Sequence, residues 1–402
     1  MKSKIYLALA LVLAAGQTFA QCGTRYMDSL FAVTVTSNVT YTTANGVTLM
    51  LDVYEPTGDT ASQRPLIIMA HGGSFISGSK TEDNVVPQTC RAFAARGYVC
   101  AGINYRLGQV FEMLDSTNAK NVVIRAISDG KAAVRFFRKD AATTNTYRIN
   151  PNIIFAGGNS AGAVLYSHVA YIDSMGELSP NLQTIISNNG GLEGNSGNDG
   201  YSSKIQALIN FAGGLNVPEL VSPGNTPSAN FQGDQDATVP YSCANAVNGQ
   251  VQVRLCGLGA IQPLLTQYNL THVSHVFVGD GHCPWQGDAA KFELIDTTTR
   301  NFLYNLICSG EVGQPVGIHD LSDVAASVRV FPNPAKGQVN VSFGEATFAT
   351  IQLTDAMGRV VEQKNIEGNT VSFNRGALAT GLYFVRAQQA NGNTVTKKLI
   401  FE

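Results

Sequence analysis

The chain has 402 residues, a net charge of −2, 44% hydrophobic residues and only 14% charged ones. That length is too great for one ordinary core, so two or three domains are expected. The near-neutral balance leaves no basic stripe to hold phosphates and no acidic tail to recruit a basic partner, which argues against nucleic acid as a ligand.

Residues 1–20 open with Lys2 and Lys4, continue as an apolar run over Ile5–Ala15, and end in Gln17-Thr18-Phe19-Ala20. A charged start, a short apolar middle and small residues at the cleavage-defining positions describe a secretory signal peptide. The run is shorter than the roughly 20 apolar residues a membrane anchor needs. Cys22 is a poor lipid-attachment site, because Gln21 before it is not small. Nothing after Gln21 is long and apolar enough to span a bilayer, so the mature protein is expected to be exported without a membrane span. Seven cysteines in an exported chain point to disulfides, and the odd count leaves at least one thiol without an internal partner. Connectivity is not readable. Cys90/Cys100 and Cys243/Cys256 would close short loops and are the first pairs to test, with Cys283 as the expected free thiol. There is no C-x-x-C pair to support a zinc site, and neither metal nor cofactor is expected.

From Phe31 to Tyr54 apolar and polar residues alternate around Asn45-Gly46, a strong hairpin signal. Strand-like runs then alternate with helical ones: Leu66–Ala70 and Val85–Ala95, Val99–Asn104 and Ile127–Arg138, Ile153–Ala156 and Ala161–Ile172. Further strands are expected at Ile205–Ala212, Ala229–Gln232 and Val273–Val278, and a last helix at Ala289–Ile307. This rhythm predicts an α/β fold, a doubly wound and mostly parallel sheet over residues 21–308. Residues 173–204 interrupt it. The Asn/Gly-rich part, Asn188–Gly200, has too few apolar groups to pack, so a loop or lid over the active-site face is expected there. Residues 309–324 read as a linker, and 325–402 as a small β-sandwich of short alternating strands with turns such as Asn391-Gly392.

Gly158-Asn159-Ser160-Ala161-Gly162 places a G-x-S-x-G pattern between an expected strand and an expected helix. In so sharp a turn the residues two before and two after the serine must lack Cβ atoms, and both are glycine. Upstream, His71-Gly72-Gly73-Ser74-Phe75 follows a strand, where a glycine-rich turn can aim amides at a carbonyl oxygen. The expected oxyanion hole is the amides of Gly73 and Ser74 with that of Ala161 at the head of a helix. Downstream, Gly233-Asp234-Gln235-Asp236-Ala237-Thr238-Val239-Pro240 offers two aspartates. The G-x-x-D-x-x-V-P frame favours Asp236 as the triad acid and leaves Asp234 as a solvated loop carboxylate. His282, in Gly279-Asp280-Gly281-His282 after the last expected strand, is the expected base. A serine hydroxyl hardly ionises near neutral pH, so an imidazole must take its proton, and an aspartate on the other ring nitrogen fixes the tautomer. His168, His272 and His275 read as packing or solvent-facing residues; Trp285 can line a pocket or fill the core. The Asn195–Asp199 cluster lacks a full calcium-loop pattern and reads as a disordered turn.

These residues, with Asn104-Tyr105-Arg106 and Asp129, resemble α/β-hydrolase carboxylesterases over about residues 31–308, near the hormone-sensitive-lipase-like and the feruloyl or acetyl-xylan esterase-like groups. Ser74 stands where many relatives have a third glycine, and Gln232 replaces a frequent histidine and is not counted as catalytic. Val330-Phe331-Pro332-Asn333-Pro334, Asp355-Ala356-Met357-Gly358-Arg359, Leu378-Ala379-Thr380-Gly381-Leu382-Tyr383-Phe384-Val385 and Lys397-Lys398-Leu399-Ile400 resemble the type A sorting domain of the type IX secretion system. That resemblance implies a Gram-negative bacterial enzyme that reaches the cell surface or medium, with the secretion machinery as partner and the tail cut off afterwards. The expected activity is hydrolysis of carboxylic esters through an acyl-enzyme. The polar lid segment favours small soluble or polysaccharide-linked esters. A serine peptidase of the same fold and a non-catalytic surface binding protein are the alternatives.

Overall fold

The computed structural model describes residues 22–309, 312, 328–343, 348–355, 359–366, 368–388 and 394–402. The expected signal peptide, nearly all of the expected linker, residues 356–358 of the tail motif and the Asn391-Gly392 turn lie outside the described residues. The chain divides into two compact units between Gln314 and Pro315.

The first unit begins with the hairpin β1 (Val33–Ala44) and β2 (Val47–Pro56), paired antiparallel. Asn45 and Gly46 both take positive φ (50° and 78°), the conformation a two-residue turn between twisted strands requires. There follow β3 (Arg64–Ala70), α1 (Val85–Ala95), β4 (Val99–Ile103), α2 (Ser116–Ala142), β5 (Ile149–Asn159) and α3 (Ala161–Tyr171). After α4 (Pro180–Asn188) come β6 (Ala207–Phe211), β7 (Ser228–Gly233), the short hairpin β8 (Cys243–Asn245) and β9 (Arg254–Cys256), α5 (Leu258–Gln267), β10 (His272–Phe277) and α6 (Ala289–Cys308). One eight-stranded sheet runs in the order β1-β2-β4-β3-β5-β6-β7-β10, and every pairing from β4 to β10 is parallel. It is the doubly wound sheet that the alternation of strand and helix predicts.

Strand β3 is buried along its whole length because both faces of the sheet are covered. With side chains alternating in period 2, Leu66, Ile68 and Ala70 enter one core cluster, with α2 and α3. Ile67 and Met69 enter the other, with α1 and α6. Between the last two helices, a buried Arg96–Asp296 pair (2.8 and 2.5 Å) ties the end of α1 to α6. Strands β5, β7 and β10 end at the same edge of the sheet, so the loops after them are brought together there.

The interruption at 173–204 holds one helix ahead of the expected Asn/Gly-rich loop. Ser179 caps and Pro180 opens α4, which buries Leu182, Ile185 and Ile186. The Asn/Gly-rich part is held by polar bonds instead of apolar packing. Ser196 is fully buried, with its hydroxyl 2.6 Å from Asp129 Oδ1 and 2.8 Å from Arg106 Nη2, while Gly197 O accepts from Arg135 at 2.9 Å. Asn198 Nδ2 donates to Tyr41 O at 2.8 Å, so the 195–199 cluster is a pinned segment.

The cysteines also depart from expectation. Cys243–Cys256 is bonded, but the second disulfide is Cys22–Cys308, and Cys90, Cys100 and Cys283 are free and buried. Cys90 on α1 and Cys100 on β4 lie together in the apolar core, where burial and the neighbouring thiol push the Cys100 pKa up and keep it protonated.

The second unit has a three-stranded antiparallel sheet, β11-β12-β15 (Arg329–Phe331, Gln338–Ser342, Thr370–Asn374), and a four-stranded one. The latter is β14-β13-β16-β17 (Val360–Asn365, Thr350–Asp355, Gly381–Gln388, Thr394–Phe401). Alternate residues such as Val339, Val341, Ile351, Leu353, Val385 and Leu399 from both sheets form one core, which makes it a β-sandwich. Among the described residues no helix is long and apolar enough to cross a membrane.

Candidate active site

Ser160 occupies the turn between β5 and α3 with φ 53° and ψ −117°, a conformation that residues with side chains seldom adopt. The turn is held by Ser160 N on Phe211 O (2.8 Å) and by Val164 N on Ser160 O (2.9 Å). A Cβ on Gly158 would lie 2.4 Å from Ala70 O, and one on Gly162 2.1 Å from the same atom. Backbone cannot yield that far, so both neighbours of the serine have to be glycine.

His282 stands in the loop after β10, its Nε2 2.7 Å from Ser160 Oγ and its Nδ1 2.7 Å from Asp236 Oδ2. A carboxylate only accepts, so Nδ1 carries the proton and Nε2 is left to accept from the serine hydroxyl. Asp236 is buried in the loop after β7, and its Oδ1 accepts from the amides of Thr238 (2.9 Å) and Val239 (3.0 Å). Asp234 faces elsewhere, accepting from Gly279 N at 2.8 Å.

In the His71–Phe75 turn, Gly73, Ser74 and Phe75 all have positive φ (116°, 54° and 64°). Stacking of His71 on Tyr105 (4.3 Å) and the Tyr105 Oη to His71 O bond (2.9 Å) fix its start. Burial lowers the His71 pKa and keeps that ring neutral. Gly73, Ser74 and Ser160 border one cleft, and Ala161, first residue of α3, has an N–H without an acceptor inside the helix.

Residues not singled out by sequence connect these pieces. Asp83 Oδ2 accepts from Gly72 N (2.8 Å) and from Asn159 Nδ2 (3.0 Å), tying the glycine turn to the residue before Ser160. Asn159 Oδ1 in turn faces the Trp285 indole N–H (3.1 Å) and the Cys283 thiol (3.3 Å), both from the His282 loop. Gln232 Nε2 donates to Asp236 Oδ2 at 3.1 Å. Asn159 and Gln232 are polar residues near the ends of otherwise apolar strands, a signal the sequence carries, whereas Asp83 stands in the loop before α1 and carries none.

Trp285 lies in the core, packed on Phe211 and Phe277. Burial holds the Cys283 thiol well above its ordinary pKa, aided by Asp236 and Asp83, so it remains protonated. His168 is buried in α3, donating from Nδ1 to Val164 O (2.8 Å), and also lines a cavity. His272 and His275 lie along β10, partly buried, and His275 packs edge-on to Phe277. Among the described residues no group of three or more His, Cys, Asp or Glu is arranged to hold a metal.

Two recesses meet at Ser160. One, of about 350 Å³, is bordered mainly by apolar side chains including Val164, Leu182, Val239 and Leu255. The other, of about 330 Å³, lies along the glycine turn, with Glu82, Asp83, His282 and Gln286 at its edge.

Sheet order, the turn at Ser160 and the convergence of three loops are those of the α/β-hydrolase fold. Residues 51–222 match the BD-FAE family, and residues 329–402 match the secretion system C-terminal sorting domain. The chain has the α/β-hydrolase fold, with residues 51–222 similar to an esterase-type family, and a secretion sorting tail, which marks it for secretion or display at the cell surface. It is 35% identical to carboxylesterase 3B of Mus musculus over 121 residues, 30% of this chain and 20% of that protein. It is 28% identical to an endo-acting ulvan lyase of Formosa agariphila over 88 residues, 22% of this chain and 17% of that protein. The chain thus spans about a fifth of the length of the curated relatives it matches. Thermogutta terrifontis esterase 2 shares the fold: its propionate-bound structure matches at a TM-score of 0.51 and 21% identity, covering 72% of this chain and 99% of that one. The same esterase phosphorylated by paraoxon matches at 0.51 and 22%, with the same coverage.

Proposed function

We propose that this chain is a serine carboxylic ester hydrolase that works through an acyl-enzyme. The observation that carries the reading is the unbroken chain of two 2.7 Å contacts from Ser160 Oγ through His282 to Asp236. As Ser160 Oγ attacks the ester carbon, His282 Nε2 takes its proton, and Asp236 stabilises the imidazolium that results. The amides of Gly73, Ser74 and Ala161 receive the charge that develops on the carbonyl oxygen, a contribution of roughly 3–4 kcal/mol for one donor. The alcohol leaves with the proton from His282. Water then attacks the acyl-enzyme, with the same imidazole as base, and releases the acid. Propionate and butyrate bound to the Thermogutta esterase, together with its phosphorylation by paraoxon, support an acyl-transfer site on this fold.

In this reading residues 1–20 are the export signal, 21–308 the catalytic domain, 309–324 the linker and 325–402 the sorting domain recognised by the type IX secretion machinery. The test is hydrolysis of p-nitrophenyl acetate and labelling by a fluorophosphonate probe. Ser160→Ala is expected to lose about a millionfold in kcat and all labelling. Undiminished turnover in a folded Ser160→Ala protein refutes the assignment. A matched ester and amide pair separates an esterase from a peptidase.

A further inference from the structure

The two recesses at Ser160 differ in one respect that bears on substrate class: His282 borders the one along the glycine turn and does not border the one lined by Val164, Leu182, Val239 and Leu255. In the ester-hydrolase reading, on which this inference rests, the proton taken from Ser160 Oγ must go to the alcohol oxygen as its bond to the acyl carbon breaks. The alcohol therefore occupies the side of Ser160 that His282 faces. The acyl group stays bonded to Oγ and needs space on the other side, where the apolar cavity lies.

Much of the wall of that cavity comes from one short element. The β8–β9 hairpin contributes Ala246, Val247, Val251, Val253 and Leu255. Its strands have three residues each, too few to hold a two-stranded hairpin in place by pairing alone. Cys243 and Cys256, directly opposed in the register, are joined by the disulfide. Cys256 also exchanges both backbone bonds with Leu215 (2.7 and 3.0 Å), and Val247 N donates to Thr238 O at 2.8 Å in the loop after Asp236. Ala246, Val253 and Leu255 are thereby held against the core cluster of α2 and α3.

We propose that the cavity is the acyl site and that the disulfide-stapled hairpin at 243–256 sets the size of apolar acyl group accepted. The substrate class is then esters of extended apolar acids, with the alcohol in the recess beside His282. About 350 Å³ is within the range of roughly 300–1,000 Å³ for ligand pockets, far more than an acetyl group fills. Each methylene buried there raises kcat/KM about fourfold until the cavity is full.

The test uses the full chain with p-nitrophenyl acetate, butyrate and octanoate. For the wild type, kcat/KM is expected to rise from acetate to octanoate. In a Cys243→Ser/Cys256→Ser double variant, the octanoate-to-acetate ratio is expected to fall by about tenfold or more, corresponding to two buried methylenes. Acetate turnover should stay within about threefold, since no residue of the Ser160 site is changed. Val251→Asp, which puts a charge on the wall at a partly buried position, is expected to lower the octanoate-to-acetate ratio in the same direction and covers the case in which the double variant does not fold. A wild-type profile flat with chain length, or a ratio unmoved in a folded variant, overturns this inference while leaving the hydrolase reading intact. Absence of acetate hydrolysis and of fluorophosphonate labelling in the wild type overturns the hydrolase reading itself, and this one with it.

Discussion

Gln232 and Asp236 meet at the carboxylate oxygen that also receives the His282 ring: Gln232 Nε2 is 3.1 Å and His282 Nδ1 2.7 Å from Asp236 Oδ2. The direction of the Gln232 amide is fixed by chemistry. Leu258 N donates to its Oε1 at 2.7 Å, so the nitrogen is the end facing Asp236, and its other proton goes to Val239 O at 2.7 Å. With Thr238 and Val239 on Oδ1, each carboxylate oxygen accepts two bonds, which sets the plane in which His282 is held.

Gln232 is therefore a positioning residue. Gln232→Met keeps the volume and removes the donor, the loss of a hydrogen bond to a charged group. The expected outcome is a fall in kcat of about 10- to 100-fold, with KM for p-nitrophenyl acetate unchanged. Steady-state kinetics in which kcat holds and only KM rises contradict that role.

Asp83 joins the glycine turn to Asn159, so its loss should disturb the oxyanion donors without touching the triad. Asp83→Ala is expected to lower kcat about 10- to 100-fold, as loss of preorganised donors does. Fluorophosphonate labelling should be slower but still complete, since Ser160 and His282 remain in contact. An unaltered labelling rate counts against the tie.

The topology was legible because the strand and helix runs from Leu66 to Ile307 alternate with clear periodicity, and the Gly158–Gly162 turn announces itself by its glycines. The meeting of Ser160, Asp236 and His282 followed from where strands end. What was not legible depends on long-range partners. Nothing near Asp83 in the sequence reveals that it meets Asn159, 76 residues on. Asn188–Gly200 looked too polar to pack because its anchors, Arg106, Asp129 and Arg135, belong to distant segments. Cys22 and Cys308 are 286 residues apart, so no spacing argument could pair them.

His168 and His71 are held neutral by burial, with pKa values below the ordinary 6.5. Unfolded chains bind more protons than the native protein below pH 6.5, so this stability is complete above about pH 7.5 and is lost as the pH falls. Each histidine withdraws up to about 1.4 kcal/mol per pH unit in that acid range. His168→Gln should flatten part of the decline in denaturant stability between about pH 7 and 5. Parallel curves for the wild type and the variant contradict the assignment.

The Cys22–Cys308 bond joins the first described residue of the hydrolase unit to the last residue of α6. A pull on the tail that reaches Cys308 has a covalent path to Cys22 through the disulfide, which bypasses the residues between them. The catalytic body can be hauled by its C-terminal end, or trimmed on either flank, as a covalently closed ring whose interior is never peeled.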